Sequence, residues 1–108
     1  MRILILVISI LFNTNIYASD KEKCEQLFKS AIHNFYLENT CKFNQHVSSS
    51  LRKEFGNQNC TSLFSDADMK NLNNEVLGNS YQSMNKVGKD KFCEDNKAQY
   101  DELGSLYK

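Results

Sequence analysis

Four cysteines and two histidines are the residues with the most chemistry to offer: Cys24, Cys41, Cys60 and Cys93, with His33 and His46. A zinc site wants Cys-x-x-Cys pairs or histidines at helical spacing, and neither occurs, so no metal is expected. An even number of cysteines in a short chain reads instead as a disulfide framework. Four cysteines allow three pairings, and sequence alone does not choose among them. The expectation is Cys41–Cys60, closing the second helix and its loop, with Cys24–Cys93 joining the first helix to the last. Loops of about 20 and 70 residues would contribute roughly 3 and 4.5 kcal/mol through lost chain entropy.

The remaining candidates for chemistry read more simply as structure. Asp66 and Asp68 stand in the first turn of a helix, where acids favour the positive end of the dipole. The further oxygen ligands and closing Glu of a calcium loop are missing. Glu94 and Asp95 sit the same way in the last helix. There is no nucleophile elbow, phosphate loop or HExxH motif. His33 lies opposite the main apolar stripe of its helix and His46 flanks that of the next, so both are read as surface histidines. The chain is therefore read as non-enzymatic, with no cofactor. Asn59-Cys60-Thr61 matches a glycosylation acceptor, but a disulfide at its middle residue would hinder modification, and the match is taken as chance.

The elements that hold these residues are helical. In residues 21–38 the apolar positions Cys24, Leu27, Phe28, Ala31, Ile32, Phe35 and Tyr36 recur at steps of three and four, which lines up one face of an α-helix. Ser19 or Asp20 can cap it, and Asn39-Thr40 is expected to break it. Phe43, Val47, Leu51 and Phe55 form a second stripe from near Thr40, ended by Gly56 as a left-handed cap. Residues 57–61 form a polar loop. Ser65-Asp66-Ala67-Asp68 has the form of a capping box with Asp in place of the usual Glu or Gln. It opens a third helix through Met69, Leu72 and Val76, with a weak point at Gly78, continuing through Tyr81, Met84 and Val87 to a stop at Gly88. Asp90 is expected to cap a fourth helix running to about Leu106, with Phe92, Cys93, Tyr100, Leu103 and Tyr107 on one side. The chain has no proline, and no alternating β-branched run follows the N-terminal segment. The fold class is all-α: a small bundle of about four amphipathic helices stapled by two disulfides.

Residues 1–18 read as a secretory signal peptide: Arg2, an apolar run over residues 3–12 broken only by Ser9, and a small residue, Ala18, before the expected cut. Residues 19–108 then form one domain of the size whose core alone is marginal. No span remains after cleavage. The full chain has 13 basic and 13 acidic residues, and loss of Arg2 leaves it slightly negative. That balance argues against nucleic acid or an anionic membrane as partner. The expected location is periplasmic or secreted. The expected function is a non-catalytic protein-binding module of inhibitor, immunity or adaptor type, engaging another envelope or secreted protein through a helix face. Tyr81, Met84, Tyr100 and Tyr107 are the candidate partner surface, since aromatics and methionine are enriched at interfaces. Pairing with a second copy is another way for so small a bundle to complete its burial. The alternatives are an acid-responsive periplasmic chaperone and a carrier of a small apolar ligand.

Overall fold

The computed structural model describes residues 20–107, so the signal-peptide reading and the cap at Ser19 lie outside it. Four helices follow in order: α1 (Asp20–Cys41), α2 (Val47–Asn57), α3 (Asp66–Val87) and α4 (Lys89–Leu106), with a short 3-10 turn (Cys60–Leu63) between α2 and α3. The all-α bundle with two disulfides is as expected; no strand occurs among the described residues.

Helix α1 is the hub, touching every other element. Its stripe of apolar residues is mostly covered, and burial goes beyond the stripe to Asn34 and Leu37. A helix packed on several sides needs more than one narrow face. Two clusters result. The larger joins Ala31 and Leu37 of α1, Val47 and Leu51 of α2, and Phe92 and Tyr100 of α4. The smaller gathers Phe55, Phe28, Phe64 and Met69 around the bridged Cys24 and Cys60. Fully burying side chains of this size is worth about 1.5–3 kcal/mol each, against which a chain of this length must set its conformational entropy.

The cysteine pairing differs from expectation. Cys24 bonds Cys60, and Cys41 bonds Cys93. The reason is the antiparallel α1–α2 hairpin. A connection as short as residues 42–46 folds α2 back along α1, so the start of α1 meets the end of α2 and Cys24 meets Cys60. Cys41, at the other end of α1, lies a full α2 length from Cys60. An 11-residue helix is about 16 Å long, more than twice the roughly 7 Å Cα separation a disulfide can bridge. Cys41 instead meets Cys93 in the first turns of α4.

Helix ends also move. Asn39 does not break α1: its side chain donates to the Phe35 carbonyl one turn back, which suits a helix, and α1 runs on to Cys41. Phe43 consequently sits in the loop, its ring 4.8 Å from that of Tyr100, and is not on α2. Lys42 and His46 take left-handed backbone to turn the chain. Gly56 does not end α2, which continues to Asn57, and the reversal falls at Asn59 with φ of 56°. At Ser65 both bonds of the capping box form. Helix α3 passes through Gly78 unbroken. Gly88, at φ 91°, ends α3 and also starts α4; the N-cap is therefore Gly88 and not Asp90, which falls in the first turn.

Candidate functional site

His33 is where the reading of a surface histidine fails. Its Nδ1 lies 2.9 Å from Ser80 Oγ and its Nε2 lies 3.2 Å from Asn96 Oδ1, linking α1 to α3 and α4. Asn96 spends its amide N–H on the Phe92 carbonyl. Its Oδ1 is therefore the acceptor for the Nε2 proton, which leaves Nδ1 to accept from the Ser80 hydroxyl. Serine, histidine and asparagine in this order resemble a nucleophile, base and orienting group. A nucleophile must present its oxygen to a substrate, however, and Ser80 retains only 4% exposure between the helices. The geometry is that of a three-helix cross-link. The sequence signal was absent, since Ser80 and Asn96 are 47 and 63 residues from His33.

A second polar constellation holds α1, α2 and α4 together. Glu38, on the last turns of α1, accepts from the Ser48 hydroxyl, from the Ser48 backbone N–H at 3.3 Å and from the Tyr100 hydroxyl at 2.8 Å. The same Tyr100 oxygen accepts from the Gln45 backbone N–H at 2.9 Å. Helix α2 has no side-chain cap of its own, because His46 stands at its N-cap position; Glu38 supplies one from the neighbouring helix, at the end where the dipole favours a carboxylate. Burial first, and then the bond to Glu38, raise the Tyr100 pKa above the ordinary tyrosine value.

These positions revise the candidate partner surface. Tyr100 is 1% exposed and belongs to the core. Tyr107 is half-buried against that cluster. Met84 is half-buried as well, with the Tyr36 hydroxyl 3.5 Å from its sulfur. Tyr81 alone stands free, at 55% exposure. The residue overlooked in the sequence is Phe35, placed in the buried stripe of α1 yet 49% exposed.

Phe35 and Tyr81 belong together. The His33–Ser80 and Tyr36–Met84 contacts set α1 and α3 parallel, in a register that puts Phe35 level with Tyr81. Residues advance by about 100° around a helix. On α1, Phe28, Ile32 and Phe35 fall between Cys24 and Glu38, which meet the α2 side, and Lys29, His33 and Tyr36, which meet α3. On α3, Leu77 and Tyr81 fall on the flank opposite Ser83, Lys86 and Val87, which border α4 with Phe92 and Asp95. The backbones of α2 and α3 do not approach each other closely, although Phe55 of α2 and Met69 of α3 share the cluster around the Cys24–Cys60 bridge. Phe28, Ile32 and Phe35 thus share the flank of α1 between its α2 and α3 sides, with Ile32 buried at 8% exposure and Phe35 open at 49%, while Tyr81 of α3 is open at 55%.

The hollows are less suggestive. A cavity of about 40 Å³ beside His33, Asn34 and Tyr100 is the size of a water site. Among the described residues no group of three or more acids, histidines or cysteines could hold a metal ion, and no helix is long and apolar enough to cross a membrane. No protein-family model, curated protein or solved structure matches the chain.

Proposed function

We propose that this protein is an exported, non-catalytic binding module that engages another envelope or secreted protein through the α1–α3 face. The observation that carries the reading is the pair of large aromatic side chains left exposed on two helices that pack together, Phe35 of α1 at 49% and Tyr81 of α3 at 55%. Isolated exposed apolar residues need no explanation, whereas a contiguous patch marks an interaction site. Two disulfides spanning 36 and 52 residues support export, because such bonds persist in oxidising compartments. They also give the rigid backbone on which a preformed surface loses little entropy on binding.

The test is capture from an envelope and culture-supernatant extract on the immobilised, oxidised protein, beside the double variant Phe35→Asp/Tyr81→Asp. Both side chains are exposed, so the variant should keep the helical circular dichroism and both disulfides. The expected result is one stoichiometric partner that survives a salt wash and is lost, by tenfold or more, from the variant. A partner retained equally by both proteins would refute the assignment of the surface.

A further inference from the structure

The two bridges tie different parts of the fold, and this difference owes nothing to the Phe35–Tyr81 surface. Cys24–Cys60 staples the α1–α2 hairpin from inside, with both cysteines buried among Phe28, Phe55, Phe64 and Met69. Cys41–Cys93 ties the end of α1 to the first turns of α4, and both of its cysteines are partly open to solvent. Helix α4 presents a thin inward face. Its fully buried large side chains are Phe92 and Tyr100, with Leu103 half-buried beside them. Its other links are polar: Asn96 to His33, Tyr100 to Glu38 and the Gln45 N–H, and Asp101 to the Gln45 amide. Such bonds exchange for bonds to water on opening, so each holds weakly. At the start of α4 stands Gly88, shared with α3, at φ 91° and with open space where a Cβ would stand. A lone glycine between two helices is where the backbone turns with least resistance. Two anchors five residues apart, the Gly88 junction and the bridge at Cys93, fix the direction of α4. With one anchor gone the helix can pivot about the other, uncovering Ala31, Leu37, Val47 and Leu51, which share its core cluster.

We infer that Cys41–Cys93 is a redox latch: a dithiol reduces it ahead of Cys24–Cys60, α4 swings out about Gly88, and the stapled α1–α2 hairpin keeps its structure. The step is thiol–disulfide exchange. A thiolate of the dithiol attacks one of the two accessible sulfurs, the Cys41–Cys93 bond breaks, and the displaced cysteine leaves as a thiolate that takes up a proton. The second thiol of the dithiol then attacks the mixed disulfide and releases the other cysteine. Two electrons pass to the bridge, and the dithiol ends as a disulfide. Burial keeps the same attack from Cys24 and Cys60. The probe is dithiothreitol, titrated against the oxidised full chain to the stage at which Cys41 and Cys93 alone take up iodoacetamide. Hydrogen exchange read by mass spectrometry should then show the amides of residues 89–106 exchanging at least tenfold faster than in the oxidised protein, with those of residues 24–57 unchanged within about twofold. The Cys41→Ser/Cys93→Ser variant, which carries neither reagent nor adduct, should give the same pattern. Reduction of the two bridges together would overturn the inference, as would an α4 that keeps its protection in the single-bridge protein. Opening in the alkylated protein but not in the variant would be the work of the adduct and would overturn it. Loss of protection through all four helices would make the bridge a support of the whole fold and would overturn it as well.

Discussion

At the scale of single residues, the fold depends on polar side chains placed inside it. Glu38 and Tyr100 share a proton donor–acceptor chain that ends on the backbone of the α1–α2 loop. Tyr100→Phe removes the hydroxyl and leaves the Gln45 N–H and one Glu38 position without that partner. A loss of about 1–3 kcal/mol is expected, read as a fall in Tm of roughly 4–8 °C per kcal/mol for a domain of this size. The same hydroxyl sets a pH dependence. Its pKa is raised in the folded state, so folding favours the neutral phenol. That contribution is complete below the unfolded value of about 10 and is lost as pH rises through the higher folded value. Urea midpoints should therefore decline above pH 10 in the native protein, and Tyr100→Phe should flatten the decline. His33 makes a different point. Its two bonds join helices through residues far along the chain, so helical periodicity, which placed it on a wet face, had nothing with which to find them.

At the scale of elements, α3 was the most legible helix because it carried its own punctuation. The capping box at Ser65 and the stop at Gly88 are local signals, and both formed as spelled. Ser65→Ala should cost about 1 kcal/mol, read in chemical denaturation, with α3 fraying from its start. The α1–α2 boundary was misplaced because Phe43 continues a four-residue step by coincidence, and the contact with Tyr100 that keeps it in the loop is tertiary. The disulfide pairing was within reach of sequence: a short loop implies an antiparallel hairpin, and a hairpin puts Cys24 beside Cys60. The two bridges should also differ in behaviour. Cys24 and Cys60 are buried, at 2% and 0% exposure, while Cys41 and Cys93 are partly open to solvent. Limited thiol reduction followed by alkylation and peptide mapping should label Cys41 and Cys93 first. Removing either bridge should cost about 4 kcal/mol in the chain-entropy model, a large share of the 5–15 kcal/mol typical of a domain.

At the scale of the whole molecule, α2 and α3 pack on different sides of α1 and their backbones stay apart. That separation is invisible in a single helical stripe, which is why Phe35 read as core: its spacing is that of the buried residues, yet it is 49% exposed. Tyr81 is exposed and Tyr100 is core although the two read alike in the sequence, since aromatic clustering along the chain does not say which ring faces inward. The binding account stands on the exposed pair Phe35 and Tyr81, and the most direct test is site-specific photo-cross-linking in the oxidised protein. A benzophenone amino acid would replace Phe35 in one variant and Leu106, the more exposed apolar residue at 70%, in another. Illumination in an envelope extract should give a discrete adduct from position 35 and none of the same mass from position 106. The same adduct from both positions, or an adduct from position 106 alone, would contradict the account.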